Sequence, residues 1–240
     1  MTLVNSIIRD DDVTLASYPR SGNTWVRFFL ANLIFPNVEW NYLSLNYVMP
    51  DVYTEVPLSK TGTIPRVMKS HEQYLPRYKK AIFLHRDPRD VVISFYDYRV
   101  KVSKKQLTFE EFFEMFLVGE VIFGKWDEHV NSWLDADVEK ITISYDDMYH
   151  TPHVAFEVIA NFVGWKHSAE ELALSINKSS FDKYKGTVKS FVDKFNLDTA
   201  FSGGVSGKTG EWRNKLTVEQ NERIIGAFGD TMKRVDYLEK

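Results

Sequence analysis

An α/β fold with a central, mainly parallel sheet flanked by helices is the architecture that three observations predict for this sequence. Short β-like runs alternate with helical patterns, at Val13 to Ser17, Arg66 to Lys69, Ala81 to His85 and Lys140 to Ser144. The helix starts are punctuated. Thr108 with Glu111 and Ser168 with Glu171 have capping-box spacing, and Asp87-Pro88 and Thr151-Pro152 each set a cap before a first-turn proline. No internal repeat, low-complexity tract or Gly/Ser/Pro-rich linker divides the 240 residues, so one domain over 1–240 is expected.

The first element carries the most specific signal. Ser17-Tyr18-Pro19-Arg20-Ser21-Gly22-Asn23-Thr24-Trp25 follows the apolar run Val13 to Ala16 and opens the apolar stretch Val26 to Phe35, which reads as strand, tight loop, helix. Such a loop aims successive backbone N–H groups and a helix N-terminus at one point, and Arg20, Ser21 and Thr24 add a cation and two hydroxyls. Phosphate is the natural guest. Pro19 and Gly22 shape the turn, and Trp25 offers a flat face to a purine. The same residues also fit an ordinary strand-to-helix turn, with an N-cap at Asn23 or Thr24 and a core tryptophan.

Pro36 to Pro65 has no clean period, as lids and binding loops often do not. Its Trp40, Tyr42, Tyr47 and Tyr53 suit either a pocket lining or the packing of the loop onto the domain. After the next β-like run comes Lys69-Ser70-His71, which at the carboxyl end of a parallel strand would face the crevice of the first loop. An imidazole titrating near neutrality suits taking a proton from a hydroxyl. The other histidines (His85, His129, His150, His153, His167) are read as structural or solvated.

Leu84-His85-Arg86-Asp87-Pro88-Arg89-Asp90-Val91-Val92-Ile93-Ser94 runs from strand into helix. Arg86 at the strand exit and Ser94 two turns into the helix can reach one anion at the rim, whereas Arg89 and Asp90 are read as solvated surface charges. Phe109 to Phe123 is a Phe-rich helical segment that fits a core face or a pocket border. A second irregular stretch, Thr187 to Glu211, contains Ser202 to Thr209, one residue short of a nucleotide-binding P-loop. Its first glycine is missing, and neither a buried strand before it nor a helix after it is expected. Thr217 with Gln220 caps a closing helix.

A formal charge of −3 argues against binding a nucleic-acid backbone, which needs a clustered excess of Lys and Arg. There is no cysteine, hence no disulfide framework or thiolate metal site, and no His/Asp/Glu metal cluster is recognisable. The N-terminus lacks a signal pattern, and no apolar run reaches the roughly twenty residues of a membrane span, so a cytoplasmic location is expected.

The first loop resembles the phosphosulfate-binding loop of sulfotransferases that use 3′-phosphoadenosine 5′-phosphosulfate (PAPS), whose usual form is Tyr-Pro-Lys-Ser-Gly-Thr-Thr-Trp. Further segments resemble that family in its order. Lys69-Ser70-His71 is similar to its Lys-Thr-His, and Arg86 to Ser94 to its Arg-Asn-Pro-Lys-Asp-Val-x-x-Ser. Ser144-Tyr145-Asp146-Asp147 is similar to its Tyr-Glu-Asp element, and Ser179-Ser180-Phe181 to its Thr-Ser-Phe element. Gly207-Lys208-Thr209-Gly210-Glu211-Trp212-Arg213-Asn214 resembles its Arg-Lys-Gly-x-x-Gly-Asp-Trp-Lys-Asn.

The resemblance implies a P-loop NTPase-like three-layer fold and transfer of a sulfuryl group from PAPS, without metal, to a hydroxyl or amine of a small-molecule, lipid or carbohydrate acceptor. Adenosine 3′,5′-bisphosphate (PAP) would be the product. It implies His71 as general base, with Lys69 and Arg20 stabilising charge on the transferring and leaving oxygens. Ser21, Gly22, Asn23, Thr24 and Trp25 would hold the nucleotide with Arg20. Arg86 and Ser94 would take the 3′-phosphate, with Tyr145 and Phe181 at the adenine and Gly207 and Lys208 at the C-terminal phosphate segment. Arg213 with Thr217-Val218 and Glu222 resembles a segment through which members form small homodimer contacts.

Two departures stand out: Val205-Ser206 replaces the Arg-Lys pair, and Arg20 replaces the usual Lys. The first leaves open whether the 3′-phosphate is held strongly, with Lys208 or an anion nest around Gly203, Gly204 and Gly207 as substitutes. Two other readings stay open at this point, an ATP- and magnesium-dependent small-molecule kinase and a nucleotide-binding protein without turnover.

Overall fold

The four apolar runs pair as one parallel sheet in the order β2-β1-β3-β4, formed by β1 (Val13–Ser17), β2 (Val67–Ser70), β3 (Lys80–His85) and β4 (Glu139–Ser144). A computed structural model describes residues 8–41, 44–53, 65–100, 107–180, 183 and 207–239, with backbone only at 101–103. The helices are α1 (Asn23–Ile34), α2 (Leu45–Val48), α3 (Pro88–Ser103), α4 (Phe109–Val118), α5 (Trp126–Leu134), α6 (Tyr145–His150), α7 (Pro152–Val163) and α8 (Ala169–Lys178). A one-turn helix, Trp212–Lys215, and a C-terminal helix, Val218–Arg234, follow.

The strand alternation sorts the core into two halves, as a parallel sheet covered on two faces requires. Val13, Leu15, Ile82 and Leu84 point to one side and pack with α1, α7 and α8. Ala16, Ala81 and Phe83 point to the other, against α3, α4, α5 and the C-terminal helix. There Phe83 stacks on Trp133 with ring centroids 5.9 Å apart and planes 12° apart. The Phe-rich α4 turns Phe112, Phe113 and Phe116 into this half, so its apolar stripe is core.

The expected starts hold at Thr108, Ser168 and Thr217, each a complete capping box. At Thr151 the proline begins α7 as expected, but no side-chain cap forms: the Thr151 hydroxyl donates to the Asp147 carbonyl at 3.0 Å instead. A fourth box, Ser144 with Asp147, opens α6 directly at the end of β4. The second strand begins one residue later than expected. Arg66 forms a buried pair with Asp12 beneath the sheet, with Nε 2.6 Å from Oδ1.

The connection from β1 leads to β2 on one side, while that from β3 leads to β4 on the other. The loops after β1 and β3 therefore part above a switch point, where doubly wound sheets bind ligands. Tyr18 to Gly22 and Arg86 to Asp87 are those loops.

Candidate active site

The loop after β1 has the geometry of an anion cradle. Gly22, with φ +98°, is the residue before α1, which has no side-chain cap and no acidic residue in its first turn. The dipole end and first N–H groups of α1 are thus left to an anion. A Cβ on Gly22 would lie 2.6 Å from Met148 Cε and 3.0 Å from Tyr145 Cδ2, so backbone conformation and space alike demand glycine. Neither Asn23 nor Thr24 is the N-cap. Asn23 instead turns back, its Nδ2 donating to the Leu15 carbonyl at 3.0 Å and to Ser17 Oγ at 3.2 Å.

Several buried polar atoms around the loop lack a partner among the described residues: Ser21 Oγ, Trp25 Nε1 and Arg86 Nε. Such groups carry a desolvation cost until something bonds them. The Trp25 ring meets Tyr145 edge-on at 5.9 Å and Phe156 at 5.3 Å. Half-buried Thr24 lies beside it on the first turn of α1.

Arg20, itself at φ +72°, turns its guanidinium onto α3. Its Nε donates to Ser94 Oγ at 3.1 Å, and its guanidinium carbon lies 5.0 Å from the Tyr98 ring centre. Arg86 stands beside it, with Nη1 donating to the Arg20 carbonyl at 3.1 Å and Nη2 to the Lys208 carbonyl at 2.7 Å. Its guanidinium also lies 4.2 Å from the Tyr145 ring centre. The structure therefore brings Arg20, Ser94, Arg86, Tyr145 and the Lys208 carbonyl to one rim, with Gly207 next to Lys208 in the chain.

His71 follows β2 and faces the same crevice. Its Nδ1 lies 2.8 Å from the Ser17 carbonyl. A carbonyl only accepts, so Nδ1 carries the proton and a neutral ring presents its lone pair at Nε2. Burial holds the His71 pKa well below 6.5, and the nearby Lys69 charge adds to that effect. Lys69 itself pairs with Asp51, and burial lowers its pKa against the pull of that carboxylate. The strap Pro50–Val52 runs beside β2, with Lys69 N–H donating to the Pro50 carbonyl at 2.9 Å and Val52 N–H to the Lys69 carbonyl at 3.0 Å.

Of the loop aromatics, Tyr53 belongs to the site. Its hydroxyl accepts the His71 N–H at 3.3 Å. Phe123 closes the same corner, 5.5 Å from the His71 ring and 5.8 Å from Tyr53. Trp40 packs on Phe35 at 5.8 Å and follows the loop-packing alternative, whereas Tyr47, 71% exposed, neither lines a pocket nor packs onto the domain. Tyr42, Phe181 and the residues Ser202 to Ser206 lie outside the described residues.

One expectation is overturned. Arg89 and Asp90 are not solvated; they are 6% and 3% exposed. Arg89 pairs with Asp87 through Nη2 at 2.6 Å, donates to the Tyr237 carbonyl at 3.1 Å and stacks 3.8 Å above the Trp212 ring. Asp90 accepts the N–H groups of Gly210 and Trp212. Apart from the neighbouring Asp87, the groups that bury them, Gly210, Trp212 and Tyr237, lie more than a hundred residues downstream, which no local pattern reveals. Asp51, Tyr53 and Phe123 escaped a specific reading because Lys69 and His71, which they meet, lie on other segments of the chain. His129, 0% exposed and 5.4 Å from the Tyr18 ring, is structural as expected, and burial pushes its pKa down to about 3.

A parallel sheet with an uncapped helix N-terminus and two arginines at its switch point gives the chain the architecture of a P-loop-like α/β protein. Comparison with known proteins narrows this. The family model of the sulfotransferase domain matches residues 10–236. Human sulfotransferase 2A1 is 30% identical over 245 residues, covering 94% of this chain and 86% of that protein. Rabbit amine sulfotransferase is 28% identical, covering 94% and 82%. Among solved structures, mouse sulfotransferase SULT7A1 in complex with PAP superposes with a TM-score of 0.73 at 26% identity, covering 95% of this chain and 86% of that one. Retinol dehydratase bound to androsterone and PAP reaches 0.74 at 23% identity, covering 96% and 83%, a likeness of fold. The chain belongs to the sulfotransferase domain family and is a sulfotransferase, which sets the kinase reading aside. No helix among the described residues is long and apolar enough to cross a membrane.

Proposed function

We propose that this sulfotransferase uses PAPS as donor, releases PAP, and sulfates a hydroxyl or amine of a small-molecule, lipid or carbohydrate acceptor with His71 as general base. The observation that carries this reading is the bond from His71 Nδ1 to the Ser17 carbonyl. It fixes the ring tautomer and leaves Nε2 to accept the acceptor's proton, while burial keeps the ring neutral.

The residues present fit the donor. The buried Ser21 Oγ, without a partner among the described residues, the glycine cradle at Gly22 and the uncapped N-terminus of α1 offer donors to the 5′ side. Arg20, Ser94 and Arg86 gather at the rim where a 3′-phosphate would lie, with Gly207 and Lys208 beside them. Trp25 and Tyr145 offer aromatic surface to the adenine, and Phe181 stays part of the reading from the sequence.

When bound, the donor supplies an activated sulfuryl group whose leaving oxygen belongs to a phosphate. His71 Nε2 takes the acceptor's proton as its oxygen or nitrogen attacks. The loop N–H groups and Arg20 stabilise negative charge at the leaving side, and Lys69 does so from the β2 side, with Asp51 tempering its charge. Tyr53 and Phe123 wall the acceptor corner beside the base. A homodimer through Arg213 to Glu222 completes the reading, with Val218, 76% exposed, at the surface of that segment.

Calorimetric titration with PAP beside AMP and ATP, with and without magnesium, tests the donor assignment. Metal-free binding that requires the 3′-phosphate is the expected result. Preference for ATP with magnesium, or indifference to the 3′-phosphate, defeats it. Measured turnover with PAPS and a panel of phenols, alcohols and amines separates an active enzyme from one that only binds the nucleotide.

A further inference from the structure

Asp90 lies in the first turn of α3, one of the most buried carboxylates in the protein at 3% exposure. Its Oδ2 accepts the Gly210 N–H at 2.6 Å and its Oδ1 the Trp212 N–H at 3.0 Å. Burial raises its pKa, while Arg86 and the two backbone donors oppose that rise. Each carboxylate oxygen thus takes one amide of a turn in which Gly210 has φ +72°. Only a carboxylate supplies two such acceptors, because an asparagine amide would turn an N–H donor against one of the two N–H groups. Arg86 holds the same segment from the other side through the Lys208 carbonyl, and ties it to the phosphate loop through the Arg20 carbonyl. Arg89 stacked on Trp212 closes the arrangement.

Residues 207–212 therefore meet the phosphate loop through backbone groups held by α3, a contact made without the two side-chain cations absent at Val205-Ser206. We propose that Asp90 is a positioning residue for donor binding: by holding the Gly210 and Trp212 amides it keeps the 207–212 segment in place beside Arg20 and Arg86, and so sets affinity for the 3′-phosphorylated nucleotide. This rests on the donor reading above.

The test compares wild type with Asp90→Asn in three measurements: hydrogen exchange at the Gly210 and Trp212 amides, calorimetric affinity for PAP and for AMP, and the ligand-free melting temperature. Loss of a charge-assisted acceptor predicts faster exchange at these amides and PAP binding weaker on the order of tenfold. AMP binding should change little, while the ligand-free melting temperature falls by the few degrees that the loss of one buried hydrogen bond implies. Should Asp90→Asn fail to fold, Asp90→Glu, which displaces the charge by one methylene, gives the same contrast. Deprotected amides with unchanged PAP affinity overturn the proposal, as does equal weakening of PAP and AMP. A wild type that does not prefer PAP to AMP defeats the donor reading and the positioning role with it. The exchange data then still report whether the contact exists, so the two failures are told apart.

Discussion

Replacing Gly22 by alanine separates two costs that the structure places on one residue. At φ +98° an alanine sits in the left-handed region, which costs about 1–2 kcal/mol. Its Cβ would also lie 2.6 Å from Met148 Cε and 3.0 Å from Tyr145 Cδ2. The methionine end can swing away. The tyrosine ring is held between Trp25 and Arg86, so overpacking adds about 1–3 kcal/mol. Together these give roughly 2–5 kcal/mol, or about 4–20 °C in melting temperature for a chain of this size. Gly164 is the control: its φ is +83°, but nothing lies within 4 Å of a Cβ there. Gly164→Ala should therefore show the conformational cost alone, about 1–2 kcal/mol. Thermal melts of the two variants, without nucleotide, check the difference. Equal shifts at the two glycines would refute the packing argument, and a Gly22 variant melting like wild type would refute both parts.

The other expected outcomes are these. His71→Gln should lower kcat by about 10²- to 10⁴-fold while PAP affinity measured by calorimetry stays near wild type; an unchanged kcat refutes the base assignment. Acid should destabilise the fold. The unfolded chain binds protons at imidazoles near pH 6.5, whereas burial delays protonation to about pH 4 at His85 and about pH 3 at His129 in the folded chain. Stability is thus lost as pH falls from 6.5 towards 4, by about 2.7 kcal/mol per pH unit for two such groups. The raised pKa values of buried Asp90 and half-buried Asp146 offset part of this, because those carboxyls take up protons sooner in the folded state. Urea midpoints at pH 7 and pH 5 that coincide would exclude it. Arg66→Met leaves the Asp12 carboxylate buried without its partner and should cost about 3–5 kcal/mol in urea unfolding; a loss below about 1 kcal/mol would mean that water reaches the carboxylate.

What was legible in the sequence is what local physics encodes. The strands announced themselves as apolar runs, and the capping boxes at Thr108, Ser168 and Thr217 follow from a hydroxyl three residues before Glu or Gln. The strand, tight turn and helix around Gly22 were legible because the apolar runs Val13 to Ala16 and Val26 to Phe35 flank a short loop that holds a proline and a glycine. Ser144 with Asp147 has the same spacing, but with Asp at the third position and at a strand end it read as part of a nucleotide element instead. The surroundings of His71 were illegible, since Ser17, Tyr53 and Phe123 reach it from three separate segments. Asp90 was misread for the same reason: charged residues in a helix's first turn are usually solvated, and only the return of Gly210 and Trp212 buries this one.

The arginine in place of the family's usual lysine takes on meaning in this setting. A lysine places one compact ammonium at the end of its stem, whereas a guanidinium spreads its donors over a plane. At Arg20 the inner Nε bonds Ser94 on α3, the residue assigned by resemblance to the 3′-phosphate, while the backbone of the same residue stays in the loop at the other end of the nucleotide. Arg86 reinforces the link by bonding the Arg20 carbonyl. In the donor reading, one residue thus couples the leaving-group side of the site to its 3′-phosphate side. The two departures from the family pattern then act in opposite senses: side-chain cations are missing at Val205-Ser206, and the cation in the loop acquires a second attachment on a long helix. Specificity for a 3′-phosphate then rests on Arg20, Ser94, Arg86 and the backbone that Asp90 holds, groups anchored to β1, β3 and α3.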